Sequence, residues 1–370
     1  MKYYLIAGEA SGDLHGSNLI KALRALDQNA EFRAWGGDLM QAAGAHLVKH
    51  YRDLAFMGFA EVVRNLPTIL GNLKFCKQDI ASFQPDVVVF IDYPGFNLRL
   101  APYVKSLGIK SVYYISPQLW AWKPGRVKII HEHIDQMLCI LPFEKAWFAQ
   151  HQVVAHDVGH PLLDALADYP FDPDFRAAHG LDERPILALL PGSRKQEIAK
   201  KLPVMLKAAA QFPQCQVVVA AAPGQPVSFY EEIAQGQPMR AISGVTYQLL
   251  HTADAAMVTS GTATLETALI GCPELVAYKS SFLSYEIGKR LVKVPYISLV
   301  NLILNRKLVQ EFIQNDCTPA NLADETRLLL ENEEYRTQIK AGYAELREKL
   351  GGAGASNRAA EKIFTILSDK

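Results

Sequence analysis

The feature that most limits what this chain can fold into is a repeated alternation of short, wholly apolar runs with amphipathic stretches of helical spacing. YYLIAG is followed by SNLIKALRAL, DVVVFID by FNLRLAPYVKSLG, KSVYYIS by RVKIIHEHI, and QMLCIL by FEKAWFAQH. Short unbroken apolar runs suit strands buried on both faces, and amphipathic helices between them cover those faces, so the pattern predicts an α/β fold with parallel sheets. After HPLLDALADYPFDPDFRAAHG the pattern restarts with PILALL, QVVVAA, AAMVT and ELVAYK, each again followed by a helical segment. The stretch 160–184, rich in Pro, Asp and Gly, therefore reads as a linker between two doubly wound halves. A length of 370 residues also exceeds what one compact core holds. We expect a first domain over 1–165 and a second over 166–352, with a last helix in 353–370, beyond the glycines Gly351 to Gly354, that crosses back to the first. Doubly wound sheets bind ligands outside the carboxyl ends of their strands, so the two halves are expected to face a central cleft.

Composition narrows the partners. Lys and Arg total 38 and so do Asp and Glu, so no global field draws the chain to nucleic acid, and any membrane contact needs a local patch. The cysteines Cys76, Cys139, Cys215, Cys272 and Cys317 are scattered without a CxxC pair, which points to a reducing compartment and away from structural zinc. The apolar part of MKYYLIAGEASGD is too short for a signal peptide, and no run reaches the roughly 18 apolar residues of a membrane span, so a cytosolic protein is expected.

Several strand ends carry unusual residues. In TSGTATLETALIGCP, Thr259 to Pro273, the apolar ADAAMV is followed by a Ser-Gly-Thr turn and a helix that ends near Gly271. Ser260, Gly261 and Thr262 thus sit at a helix N-terminus, whose unpaired NH groups and partial positive charge suit a phosphate; plain helix capping is the alternative. LALLPGSRKQEI, Leu187 to Ile198, repeats the device, with Gly192 and Ser193 in the turn and Arg194 in the first helical turn. A cation there opposes the helix dipole unless an anion lies between them, so the two termini are read as converging on one diphosphate. Glu266, one turn inside its helix, is then placed to accept hydrogen bonds from ribose hydroxyls.

GEASGDLHG, Gly8 to Gly16, follows the first strand but lacks the GxGxxG spacing, and its acids Glu9 and Asp13 would repel a pyrophosphate. Carboxylates there suit hydroxyl-rich ligands, while the glycines also serve tight helix-on-strand packing. DVVVFID ends at Asp92, where Pro94 and Gly95 turn the chain; a carboxylate at a buried strand's tip is a candidate general base, its pKa raised by desolvation. SPQLWAWKPGR, Ser116 to Arg126, places Trp120 and Trp122 in a loop, where they either stack on a ring and cover an acyl chain or form a satellite core. DPD at 172–174 has proline at its centre and reads as a turn and helix start, not a metal motif. His131 and His133, two apart on a helix, do not share a face and are read as structural. Leu54 to Phe75 is apolar over much of its length, and a second stretch sets Lys289, Arg290, Lys293, Arg306 and Lys307 among large apolar residues. Both fit ordinary core helices and also an interfacial surface with a basic rim.

IAGEASGD, FMGFAEVV, IDYPGFN, YYISPQLWAW, LPFEK, VGHPLLD, LLPGSRKQEI, TSGTATLE and SLVNLIL, in this order along nearly the whole chain, resemble the lipid-A-disaccharide synthase family. The resemblance implies a GT-B fold of two doubly wound Rossmann-like domains, acceptor side first and nucleotide-sugar side second. It implies inverting transfer of 2,3-diacylglucosamine from UDP-2,3-diacylglucosamine to the 6-hydroxyl of 2,3-diacylglucosamine 1-phosphate, without metal or cofactor, at the cytoplasmic face of the inner membrane. By the same resemblance Asp92 is the candidate base, and Glu9 and Asp13 face the reacting sugars. Gly192, Ser193, Arg194, Ser260, Gly261, Thr262, Glu266 and Asn301 surround UDP. Phe56, Met57, Phe59, Val62, Val63, Leu66, Ile69 and Leu70 face lipid, with Trp120 and Trp122 as acyl contacts. Pro67 inside that segment argues against one unbroken helix, and Lys123-Pro124-Gly125 gives the WAW loop its own shape. A homodimer through exchange of the last helix stands as an alternative to its folding back on its own chain. A UDP-sugar epimerase or soluble-acceptor transferase of the same fold, and a nucleotide-sugar sensor at the membrane, remain rivals; a dinucleotide oxidoreductase is disfavoured by the glycine spacing.

Overall fold

In a computed structural model, residues 1–54, 66–122, 124–167, 169–281, 285–286, 289–290 and 294–368 are described. The side chains of Leu66 and Trp122 lie outside that description. The chain divides into two compact units, Met1–Ala167 with Leu350–Lys370, and Asp168–Lys349.

The first unit holds a seven-stranded parallel sheet of β1 (Lys2–Ala7), β2 (Glu31–Gly36), β3 (His46–His50), β4 (Val87–Ile91), β5 (Lys110–Tyr114), β6 (Gln136–Cys139) and β7 (Ala155–Asp157). Its order is β3-β2-β1-β4-β5-β6-β7. The second unit holds β8 (Ile186–Leu190), β9 (Gln216–Ala221), β10 (Arg240–Ser243), β11 (Ala255–Thr259), β12 (Glu274–Tyr278) and β13 (Glu311–Ile313), also all parallel, in the order β10-β9-β8-β11-β12-β13. The α/β class and the two doubly wound sheets are as the alternation predicts. β4, β8 and β11 are buried at every position, because apolar side chains alternate onto two helix-covered faces.

Five strands escaped the pattern: β2, β3, β7, β10 and β13. Four of them form the sheet edges, where only part of the strand is covered; β3 and β10 keep charged or polar residues exposed and have no unbroken apolar run. The DPD turn behaves as expected, with Asp174 preceding the short helix Phe175–Ala178 and its amide donating to Asp172 at 2.9 Å. Pro67 lies within the helix Leu66–Phe83, and the expectation of a break in the segment from Leu54 falls mainly on residues 55–65, outside the described residues.

The last helix, Ala355–Ser368, packs on the helix Ala10–Leu26 of its own chain through a buried face that includes Ala355, Ala359, Ala360, Ile363 and Leu367. Its N-terminus is capped by a residue 190 positions earlier: Asp164 accepts from the amides of Gly354, Ala355 and Ser356 at 2.5, 3.1 and 2.8 Å. Arg358 adds a bond to the carbonyl of Val158 at 2.9 Å. The helix Leu66–Phe83 is tied to the sheet by Asp79, which accepts from Tyr4 at 2.7 Å and from Arg33 at 2.8 and 2.5 Å.

One buried group opposes stability. Glu274, at the start of β12, is 0% exposed and neither carboxyl oxygen has a hydrogen-bond partner among the described residues. Burial lifts its pKa well above the carboxylate range, so the folded chain keeps a proton that the unfolded chain loses near about pH 4.3. Its contribution therefore worsens as pH rises above that value. We predict that Glu274→Leu raises the unfolding midpoint, by about 1–3 kcal/mol of relieved desolvation or roughly 2–8 °C. Thermal melts should show a larger gain at pH 8 than at pH 4, and an unchanged or lower midpoint at pH 8 would contradict this reading.

Candidate functional site

In the first unit the strand order reverses between β1 and β4, which pair directly with Ala7 opposite Ile91. Such a reversal sends successive crossovers away from each other and opens a crevice at the strands' carboxyl ends. The residues that follow these two strands are Gly8-Glu9 and Asp92-Tyr93. Asp92 and Tyr93 both adopt left-handed backbone, with φ of 44° and 50°, a conformation that costs non-glycine residues of order 1 kcal/mol or more each. A dedicated set of bonds holds it: Tyr113 and Asn97 donate to the Asp92 carbonyl at 2.6 and 2.7 Å, and the Asp92 amide donates to Tyr114 at 3.1 Å. The Tyr93 ring lies over Gly8, where any Cβ would run into it. The turn thus aims the Asp92 side chain and needs glycine beside it.

The Asp92 carboxyl is half-buried, and its pKa is pushed up to about 7. Burial is the main cause and the negative charge of Glu9 the next, with Glu144 adding to it, while the Tyr93 backbone NH works the other way. A carboxylate with that pKa suits general-base work near neutrality.

Asp13 is placed differently from the expectation that it faces the reacting sugars. It is 3% exposed and accepts from the amides of Gly37, Leu39 and Met40 at 2.8, 3.1 and 3.0 Å, which caps the helix Asp38–Ala42. Asp13 therefore shapes the turn after β2. Gly12 and Gly16 pack against Ala7, Met40 and Ile91, the close helix-on-strand contact that was the glycines' simpler explanation.

Sequence reasoning passed over Glu144. This residue is 1% exposed and accepts from Ser116, from the Trp120 indole at 3.1 Å and from the amides of Ile140 and Leu141 at 3.2 and 3.1 Å. It joins the loops after β5 and β6, and burial raises its pKa against the pull of those bonds. Trp120 is half-buried, edge-on to Phe143 with centroids 4.9 Å apart. Its indole thus contacts Phe143 and Glu144 within its own unit.

The second unit repeats the geometry. Its strand order reverses between β8 and β11, which are paired. The turn Gly192-Ser193-Arg194 follows β8 into the helix Lys195–Ala209, and Ser260-Gly261 follows β11 into the helix Thr262–Ile270. Gly192 has φ +126°, and Gly261 φ +147°. Among the described residues no side chain caps either helix, and Ser193, Arg194, Gly261 and Thr262 are exposed. Two helix N-termini thus lie at one reversal, the kind of place where helix amides receive anions. Ser260 donates to the carbonyl of Ile297 at 2.8 Å, and Tyr247 donates to Glu266 at 3.2 Å. Burial raises the Glu266 pKa.

Arg194 and Asn301 both have partners within the chain. The anion that Arg194 calls for is present in the chain itself, since its guanidinium lies 3.1 Å from the carboxylate of Glu197. Asn301 is 0% exposed with its amide fully used. Its NH₂ donates to Val309 and Glu311 at 2.9 and 2.8 Å, and its oxygen accepts from Leu308 and Val309 at 2.7 and 3.0 Å. The Asn301 side-chain amide is thus spent on the loop before β13.

Of the residues expected to face lipid, Phe56, Met57, Phe59, Val62 and Val63 lie outside the described residues, as do the side chains of Leu66 and Trp122. Ile69 packs against the core of the first unit, whereas Leu70 is 55% exposed. No helix is long and apolar enough to cross a membrane among the described residues. Nor do those residues include a group of three or more His, Cys, Asp or Glu that could hold a metal ion.

Comparison with known proteins places the whole. A family model described as lipid-A-disaccharide synthetase matches residues 3–366. The chain is 40% identical over 373 residues to the lipid-A-disaccharide synthase of Myxococcus xanthus (strain DK1622), covering 98% of this chain and 97% of that one. It is 41% identical over 371 residues to that of Syntrophus aciditrophicus (strain SB), with the same coverage of 98% and 97%. Among solved structures, the UDP-GlcNAc 2-epimerase from Neisseria meningitidis bound to UDP-GlcNAc matches with a TM-score of 0.70 at 12% identity, over 99% of this chain and 100% of that one. The glycotransferase of kitacinnamycin matches with a TM-score of 0.64 at 14% identity, over 99% of each chain. Likeness at such low identity shows the GT-B type of fold and leaves the choice between epimerase and transferase to the sequence. That choice is made by the match over nearly its full length: the chain belongs to the lipid-A-disaccharide synthase family.

Proposed function

We propose that this glycosyltransferase moves 2,3-diacylglucosamine from UDP-2,3-diacylglucosamine to the 6-hydroxyl of 2,3-diacylglucosamine 1-phosphate, with inversion and without a metal. Family membership supports the reaction. The observation that carries the mechanism is the Asp92 carboxyl, held by a strained turn at the reversal of the first sheet with its pKa near 7. In this reading Asp92 takes the proton of the acceptor hydroxyl as that oxygen attacks the anomeric carbon of the donor sugar. The bond from that carbon to the β-phosphate oxygen breaks, and UDP departs. A single displacement needs one base and no covalent intermediate, so no second carboxylate has to act as nucleophile. A positioned base contributes about 10²- to 10⁴-fold.

The donor half of the reading rests on the amides at Gly192–Arg194 and Ser260–Thr262, which are oriented to stabilise the charge that develops on UDP. Glu266, steadied by Tyr247, is assigned to the ribose hydroxyls. On the acceptor side Leu70 and Phe75 are 55% and 46% exposed on the helix that follows residues 55–65. Those apolar side chains support a face that meets lipid, and with it peripheral attachment to the cytoplasmic side of the inner membrane. A homodimer formed by exchange of the helix Ala355–Ser368 would reuse the Asp164 cap.

Three measurements test this. Purified protein incubated in detergent and EDTA with both substrates should yield a tetraacyl disaccharide phosphate by mass spectrometry, and Asp92→Asn should lose at least about 100-fold in rate. Because folding raises the Asp92 pKa, its ionised form costs stability at pH 8, so the Asn variant should melt no lower than wild type. Product formed at wild-type rate by the variant would remove Asp92 as base.

The base works only when deprotonated, so kcat/KM should fall on the acid side with an apparent pKa near 7. Glu9→Gln removes the like charge that helps raise that pKa and should move the limb to lower pH. A limb that stays in place would separate it from the Asp92–Glu9 pair.

Leu70→Asp should reduce co-sedimentation with anionic lipid vesicles while UDP affinity stays within about twofold. Equal sedimentation of both proteins would take this helix out of the membrane contact.

A further inference from the structure

Below the two turns of the second unit lies a cation that the proposed mechanism does not use. Lys201, in the second turn of the helix Lys195–Ala209, is 2% exposed, which is rare for lysine outside an ion pair. Its ammonium donates to the hydroxyl of Thr259, the last residue of β11, immediately before Ser260-Gly261. It also stands 3.6 Å from one oxygen of Glu197, whose other oxygen lies 3.1 Å from the Arg194 guanidinium. The same group reaches the opposite turn: a Cβ at Gly192 would sit 3.4 Å from the Lys201 nitrogen and 2.6 Å from Glu197. One buried ammonium therefore touches the structure behind both helix N-termini. Glu197 passes its effect on to Arg194.

We propose that Lys201 is a positioning residue for the nucleotide diphosphate, bracing the turn after β8 against the turn after β11 and, through Glu197, orienting Arg194. The inference rests on the reading of those turns as the donor site. Two physical effects support it. Glu197 held from one side only would be free to rotate with Arg194, whereas between two cations both of its oxygens are fixed. The formal charge of Arg194, Glu197 and Lys201 together is one positive unit, and it falls to none when Lys201 is made neutral. Lys201 itself is buried, so its charge is less screened by salt than that of the exposed Arg194. Burial lowers the Lys201 pKa from its ordinary value, and the nearby Glu197 carboxylate works against that shift.

The test uses Lys201→Met, which keeps most of the side-chain volume, together with Arg194→Ala and the double variant, each measured for UDP affinity by calorimetry and for steady-state kinetics. Lys201→Met should weaken UDP binding about tenfold and raise the donor KM by a similar factor. The acceptor KM should stay within about twofold. Because the effect runs largely through Arg194, the double variant should bind only slightly more weakly than Arg194→Ala. Thr259→Val, which removes the tie to the second turn and leaves the ion pairs, should weaken UDP binding less than Lys201→Met. A Lys201→Met protein with wild-type UDP affinity, beside a damaged Arg194→Ala, overturns the positioning role alone, whatever its melting midpoint. Full additivity of the two losses also overturns it. Wild-type affinity in Arg194→Ala would overturn the donor-site reading and this inference with it.

Discussion

Parallel strands can be joined only by crossovers, and the rest of this molecule follows from where those crossovers change direction. Each sheet has one such place, between β1 and β4 in the first unit and between β8 and β11 in the second. Central strands there are covered on both faces, so their residues are apolar and carry no chemistry. The chain can place polar groups only where the strands end, at their carboxyl edges. Asp92, Glu9, Arg194 and Ser260 all stand within three or four residues of such an edge, roughly one turn of chain. The scaffold decides where they are, and the short turns decide which way they face.

The two reversals are furnished with opposite charge. At the first, burial and the negative charges of Glu9 and Glu144 raise the affinity of the Asp92 carboxyl for its proton. At the second, Arg194 and the buried Lys201 hold Glu197 between them, one positive unit for the three side chains together. The proposed base and the proposed diphosphate site are thereby built from the same topological element. The difference comes from which side chains follow the strand: acids and an aromatic ring in one case, glycine, serine and arginine in the other.

Much of this was legible in the sequence because it is written locally. Apolar runs mark buried strands, a Pro-Gly pair beside an acid marks a strand tip, and Ser-Gly-Thr before a helical pattern marks an open N-terminus. What was not legible depends on side chains reaching across the chain. Asp13 is spent on amides 24 to 27 positions away, and Asn301 closes a loop through groups up to 10 positions on. Both were assigned to substrates because motif order carries a residue's place but not the direction of its side chain. Glu144, Tyr113, Asn97 and Lys201 went unread for the complementary reason. Each lies on an otherwise ordinary helix or strand, and its role appears only once neighbouring strands bring a partner beside it. The edge strands were missed because an apolar run is a record of burial, and they are only partly buried.

The helix Ala355–Ser368 belongs to the first unit although nearly the whole second unit precedes it in the chain. A ribosome making this protein releases the seven strands of the first sheet long before the helix that covers one of their faces. Until then the surface that will receive Ala359, Ile363 and Leu367 stays open to water, together with an Asp164 whose amide partners do not yet exist. Folding in the order of synthesis therefore favours completion of the second unit first, an inversion of the usual sequence in which N-terminal domains lead. A chain cut short between residue 349 and the start of this helix at Ala355 would leave the later unit with its residues and deny the earlier one its lid.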